Sequence, residues 1–199
     1  MSGIAVFDYG AGNLRSVLNT LEAVGATFTL VDDAAGLESA DKIILPGVGH
    51  YGQLLRSLDA MRVRGAMMAR ISAGVPFLGI CLGLQALFEE GEEAPDVKGL
   101  GVFPGKVVRF PEDARVPHMG WNELDVKAGS RLLRGLGERP YVYFAHSYYV
   151  PVCDYAAATC QYVEPFTAVL EQENVFGVQF HPEKSGPLGL QIVKNFAEL

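Results

Sequence analysis

An open α/β fold, with a largely parallel central sheet and helices on both faces, is predicted by three features of the first half of the chain. Ile4–Phe7, Thr27–Val31, Lys42–Leu45 and Val75–Ile80 are short apolar runs of the length of buried strands. Helix-length segments separate them, which implies βαβ units. Glycine and proline punctuate the pattern: Gly25 and Gly74 close helices, and Pro46-Gly47 stops the third strand.

Each element has its own reason. From Asn13 to Val24, the residues Leu14, Val17, Leu18, Leu21 and Val24 recur at helical spacing. Tyr51 to Ser72 reads as one helix, with Leu54, Leu55, Leu58, Met61, Met68 and Ile71 on a broad apolar face. Leu82 to Glu90 reads as another, directly after the fourth strand. The second half is richer in strands: Lys106–Phe110, Tyr141–Val150, Ala157–Tyr162, Thr167–Leu170 and Val175–Phe180 lie close together, so the sheet is expected to become mixed there. Leu188 to Leu199 carries Leu188, Ile192, Phe196 and Leu199 on one face and is expected to be a covering helix. No repeat, linker or low-complexity tract interrupts the chain, and one domain over residues 1–199 is expected.

The bulk numbers narrow the function. The 199 residues carry a net charge of -7 with scattered Lys and Arg, which argues against nucleic acid and against a polybasic membrane contact. No run approaches the roughly 18 apolar residues of a membrane helix, and Ile4–Phe7 is too short for a secretory h-region. Cys81, Cys153 and Cys160 are too few for a disulfide framework and form no CxxC pair. A reduced, cytoplasmic protein without metal or cofactor is expected. Gly10-Ala11-Gly12 after the first strand hints at a phosphate loop, but Arg15 stands where G-x-G-x-x-G needs its third glycine.

Gly79-Ile80-Cys81-Leu82-Gly83 joins a strand to a helix in the form G-x-C-x-G. Such an elbow holds a nucleophile on a strained turn, and small residues two before and two after it let strand and helix pass closely. Left to itself, a lone cysteine is more often a small buried hydrophobe. At an elbow its thiolate is favoured by the helix start, and the Leu82 N–H is free for an oxyanion. A cysteine nucleophile also needs a base and an orienting group. His181 follows the apolar strand Val175–Phe180, on the sheet edge where open α/β folds bind ligands. Glu183, two residues on across Pro182, is placed to fix the tautomer of His181. Pro46-Gly47-Val48-Gly49 ends the third strand, and its glycines let the backbone offer a second oxyanion donor.

Together these segments resemble the class I (triad) glutamine amidotransferases. The likeness is carried by Leu45-Pro46-Gly47-Val48-Gly49, Pro76-Phe77-Leu78-Gly79-Ile80-Cys81-Leu82-Gly83-Leu84-Gln85 and Phe180-His181-Pro182-Glu183-Lys184-Ser185. Phe7–Ser16, Pro117-His118-Met119-Gly120-Trp121-Asn122 and Tyr143-Phe144-Ala145-His146-Ser147-Tyr148 narrow it to the glutaminase subunits of imidazole glycerol phosphate synthases. The resemblance runs over essentially the whole chain and implies a flavodoxin-like fold. It implies Cys81, His181 and Glu183 as the triad, and Val48, Gly49 and Leu82 at the oxyanion hole. Gly47, Gln85, Ser147 and Tyr148 would hold glutamine. Asn13, Arg15, Trp121 and Lys184 would face a (β/α)8-barrel cyclase partner in a heterodimer. The implied reaction releases ammonia from glutamine and passes it to that partner, which makes imidazole glycerol phosphate and an aminoimidazole carboxamide nucleotide in histidine synthesis. The pair His50-Tyr51 departs from the family's small residue followed by Phe. Glutaminase subunits for anthranilate, aminodeoxychorismate or pyridoxal phosphate synthesis share the triad, but the Trp121 segment argues against them. A cysteine peptidase fits Gln85 and the glycine loop less well, and a non-catalytic binding module fits the intact triad less well.

Overall fold

The computed structural model describes residues 3–10 and 14–199. The chain runs β1 (Ile4–Phe7), α1 (Leu14–Ala23), β2 (Phe28–Val31), α2 (Ala34–Glu38), β3 (Lys42–Gly47), α3 (Tyr51–Ala60), α4 (Arg64–Ser72), β4 (Phe77–Cys81) and α5 (Leu82–Gln85). It continues with β5 (Phe88–Gly91), β6 (Phe103–Arg109), β7 (His118–Glu123), β8 (Asp125–Val126), β9 (Tyr141–His146), β10 (Tyr148–Tyr149), β11 (Ala156–Gln161), β12 (Pro165–Gln172), β13 (Val175–Val178) and α6 (Gly186–Ala197).

The main sheet has eight strands in the order β2-β1-β3-β4-β13-β12-β11-β8. The first five are mutually parallel, and β12, β11 and β8 extend them antiparallel. The expected largely parallel sheet with a mixed C-terminal half is therefore borne out. Period-2 alternation splits the core between the two faces. Ile4, Val6, Ile44, Leu78 and Ile80 point to the side covered by α1 and α6, where Leu21, Ile192 and Phe196 are fully buried. Ala5, Phe7, Ile43 and Leu45 point to the other side, against Leu54, Leu55 and Leu58 of α3 and Met67 of α4. Each such side chain contributes ~1.5–3 kcal/mol by leaving water.

Four expectations on the elements are corrected. The helix expected over Tyr51–Ser72 is two helices. Arg62 takes φ 58°, and the Val63 N–H reaches back to the Leu58 carbonyl, a left-handed cap that ends α3 beneath an unbroken apolar pattern. The helix expected over Leu82–Glu90 is one turn, after which Phe88–Gly91 becomes β5 and pairs with β6 in a separate three-stranded sheet. The strand expected over Tyr141–Val150 is broken at Ser147: β9 pairs with β7, and β10 crosses to β6. The segment around Trp121, for which no element is expected from the sequence, forms the regular strand β7 and keeps Met119 and Trp121 exposed on it.

Parallel register aligns what the site needs. Gly47 pairs with Cys81, and Ile80 pairs with both Pro46 and Val178. The carboxyl ends of β3, β4 and β13 thus bring the glycine loop, the elbow and the residues leading into His181 to one edge.

Candidate active site

Cys81 ends β4 with φ 52° and ψ −104°, a backbone conformation rarely held by a residue with a side chain. The glycines around it are required sterically. A Cβ on Gly79 would lie 2.5 Å from the Gly83 carbonyl, and one on Gly83 would lie 2.0 Å from the Leu45 oxygen. A Cβ on Gly47 would meet Leu82 at 2.6 Å. Strand, loop and helix start are in backbone contact there. Because α5 is a single turn, its dipole is a weak support for a thiolate, and the charge on sulfur depends on nearer groups.

The first of those groups is His181, which lines the same cavity as Cys81. Its Nδ1 lies 2.8 Å from Glu183 Oε1, with both side chains almost fully enclosed. The main chain of His181 is clamped as well. Its N–H donates to the Tyr143 carbonyl at 2.9 Å, and its carbonyl accepts from Ser185 Oγ at 2.7 Å. The Ser185 oxygen in turn accepts the Tyr143 N–H at 3.0 Å. Burial pulls the imidazole toward neutrality, but the hydrogen bonds and charges of Cys81 and Glu183 outweigh it and raise its pKa to about 10. Glu183 Oε2 is buried with no hydrogen-bond partner among the described residues, so the His181 imidazole is the group there that answers the carboxylate. The arrangement brings together a thiol, a base and a carboxylate that orients the base, able to deliver a thiolate and return a proton.

A cavity of about 320 Å³ opens over the sulfur. Of the expected site residues, Cys81, His181, Leu82, Val48, Gly49, Gln85, Ser147, Tyr148 and Lys184 all line it. Gly47 stands behind it, against Leu82. The expectation for Val48 needs a correction. Its N–H is not free: it donates to the Tyr9 hydroxyl at 3.1 Å, and that hydroxyl is also 3.1 Å from the Val48 carbonyl oxygen. Gly49, at φ 99°, holds the conformation that turns the next peptide. His50 caps α3 by accepting the Gly52 N–H on Nδ1 at 3.1 Å, and the Tyr51 N–H donates to Glu93 at 2.6 Å, so the unusual pair ties the loop to the start of α3 and to Glu93. A wider cleft lined by residues 125–139 holds none of these groups.

Three participants were not singled out from the sequence. Glu93 is the one carboxylate among the described residues that line the cavity. Tyr9 grips the glycine loop. Gln179, fully enclosed, donates from Nε2 to Cys81 Sγ at 3.5 Å. The last had a signal: one amide inside the apolar run Val175–Phe180 needs a buried partner.

The expected partner residues divide. Trp121 is 56% exposed on β7 and meets Tyr143 edge-on, Lys184 lies over the Tyr143 ring, and Met119, 64% exposed, borders the cavity. Arg15 is exposed on α1, which packs beside the Pro182–Lys184 turn. Asn13 lies outside the described residues. Among the described residues no cluster of His, Cys, Asp or Glu has the makings of a metal site, and no helix is long and apolar enough to cross a membrane.

Comparison with known proteins gives a consistent picture. The sequence model of the family "Glutamine amidotransferase class-I" matches residues 5–199. A protein of Methanothermobacter thermautotrophicus named imidazole glycerol phosphate synthase subunit HisH is 46% identical over 197 residues, covering 98% of both chains. One of the same name from Deinococcus radiodurans is 44% identical, covering 97% of this chain and 92% of its own. Among solved structures, a crystal structure of glutamine amidotransferase has a TM-score of 0.78 at 20% identity, covering 100% of both chains. The structure of PurLQS from Thermotoga maritima has 0.75 at 23%, covering 100% of this chain and 99% of that one. These two share the fold.

Proposed function

The chain belongs to the glutamine amidotransferase class-I family, among the imidazole glycerol phosphate synthase subunits HisH, and from that premise we propose that it hydrolyses glutamine through Cys81 and hands the ammonia to a partner subunit. The observation that carries this reading is that Cys81 and His181 line one cavity of amino-acid size, with Glu183 bonded to the His181 ring.

In the proposed reaction the Cys81 thiolate attacks the side-chain amide carbon of glutamine. The N–H groups of Leu82 and Gly49 face the developing oxyanion, and Val48 joins them once Tyr9 releases it. The His181 imidazolium protonates the leaving nitrogen, which departs as ammonia and leaves a glutamyl thioester. Neutral His181 then takes a proton from water, the hydroxide attacks the thioester, and glutamate and the thiolate are released. Both amide hydrogens of Gln85 are used inside the protein, on the Tyr148 carbonyl at 2.9 Å and on Gln179 Oε1 at 3.0 Å. Gln85 therefore offers the substrate only its carbonyl oxygen, an acceptor for the N–H groups of glutamine. Glu93 is the anionic counterpart for the α-ammonium, and Ser147 and Tyr148 close the pocket from the corner between β9 and β10.

The partner is a (β/α)8-barrel cyclase seated over Trp121, Met119 and Lys184, with Arg15 also facing it. It consumes the ammonia with a phosphoribulosyl-formimino nucleotide to give imidazole glycerol phosphate and an aminoimidazole carboxamide nucleotide, in the cytoplasm. One amidotransferase domain spans residues 1–199. Because Tyr9 occupies the Val48 N–H, the free chain is one oxyanion donor short, and docking of the loaded partner completes the hole. Glutamine turnover by the isolated chain as fast as by the complex would contradict that coupling.

The test is co-purification with the cyclase followed by an assay of glutamate release. Cys81→Ala is expected to cut glutamate release by roughly 1,000-fold or more while the complex still assembles. Continued release by that variant would overturn the triad.

A further inference from the structure

The charged groups do not account for every contact of the Cys81 sulfur. It also meets an amide. Gln179 Nε2 sits 3.5 Å from Cys81 Sγ, fully buried, one residue past the strand position that pairs with Ile80.

The direction of this amide follows from bonding rules. The Tyr148 carbonyl oxygen can only accept. Gln85 lies 2.9 Å from it and must therefore present its NH2 end. That NH2 also lies 3.0 Å from Gln179, which must answer with its oxygen. Gln179 consequently turns its own NH2 toward the sulfur. The opposite orientation would set NH2 against NH2 at Gln85 and a carbonyl oxygen against the sulfur lone pairs. The same carbonyl is pinned from its far side. His146 Nδ1 lies 2.8 Å from Tyr148 O and must donate to it, so His146 Nε2 accepts from His118 Nδ1 at 3.0 Å. His118 Nε2 then accepts from Asn122 Nδ2 at 3.3 Å. Burial keeps both imidazoles neutral, lowering His118 to about 4 and His146 to about 3. The Tyr148 carbonyl thus sets the orientation of Gln85, Gln179, His146 and His118, and Asn122, fixed by the Gln161 carbonyl and the Glu123 N–H, agrees with it.

We propose that Gln179 is a further catalytic residue: its side-chain N–H, oriented through Gln85 and the Tyr148 carbonyl, donates to the Cys81 sulfur and supports the thiolate alongside His181. A donor aimed at a buried anion stabilises the charged form over the neutral thiol. The claim rests on Cys81 being the nucleophile, and its test reads the thiol itself.

Alkylation of Cys81 by iodoacetamide, followed by mass spectrometry of the Cys81 peptide across pH, reports the thiolate directly. Gln179→Met keeps length and volume but removes the donor. It is expected to move the midpoint of alkylation up by about one pH unit and to lower kcat for glutamine roughly tenfold near neutral pH, with KM little changed. An unmoved midpoint in the folded variant would overturn the proposal. If Gln179→Met does not fold, Gln85→Leu decides. It frees the Gln179 amide to turn, so a smaller upward shift supports the proposal and an unmoved midpoint overturns it. A wild-type chain that alkylates as expected yet releases no glutamate would instead refute the glutaminase reading, so the two failures are distinguishable.

Discussion

The Cys81 site combines two sets of groups. His181 and Glu183, an acid–base pair, are carried on a tight turn after β13, with His181 locked by main-chain bonds to Tyr143 and Ser185. Gln179, Gln85 and the Tyr148 carbonyl, all neutral, lie inside the sheet edge. The charged side moves a proton during the proposed reaction, and the neutral side cannot. Mobility of charge belongs where the leaving nitrogen must be protonated, whereas a fixed dipole supports the anion without competing for its proton. Near-complete burial makes both sides effective, since few water dipoles dilute either contribution.

The comparison can be broken most forcefully on the charged side. Glu183→Gln removes the counter-charge and leaves the imidazole's tautomer unset. The expected loss is about 100-fold or more in kcat, read by glutamate release, with KM little changed. A variant that retains wild-type turnover would show that the carboxylate only packs. A second measurement sharpens the account of charge. His181 is raised to about 10 against an ordinary 6.5, so the stabilisation it draws from its partners is complete below about pH 6.5 and is lost as pH rises through about 10. In Cys81→Ala the thiol is gone while burial still acts, and the His181 midpoint is expected to fall toward neutrality in an NMR titration. A midpoint left near 10 would mean that Glu183 alone holds the proton. The loss of roughly tenfold expected for Gln179→Met is the neutral side's counterpart. The smallest effect belongs to the loop above. Tyr9→Phe deletes the hydroxyl that occupies the Val48 N–H, and glutamine turnover by the free chain is expected to rise by about 5-fold, the equivalent of one neutral hydrogen bond of about 1 kcal/mol. Unchanged or reduced basal turnover would remove Tyr9 from the coupling.

The two sides also differ in how far the sequence revealed them. Cys81 was legible because Gly79 and Gly83 mark an elbow, and the close backbone contacts show why no larger residue fits there. His181 and Glu183 were legible because they follow an apolar strand directly. The parallel sheet was legible for the same reason, as uninterrupted apolar runs have few alternatives to a buried strand. The neutral side was not. Gln179 lies inside such a run and passes for part of the strand, and its partner is a main-chain carbonyl that no residue type announces. Glu93 lies in the acidic stretch Glu89-Glu90-Gly91-Glu92-Glu93, whose members differ only in where β5 and its turn point them. The single-turn α5 and the break at Arg62 escaped because apolar spacing continues through both, and termination there is set by backbone geometry.

The most direct test of the central claim is covalent. A glutamine analogue with an electrophilic diazoketone in place of the side-chain amide, incubated with the complex, is expected to label Cys81 alone and to abolish glutamate release in step with labelling, as read by peptide mass spectrometry. Labelling at Cys153 or Cys160, or full glutamate release from a complex whose Cys81 is completely modified, would contradict it.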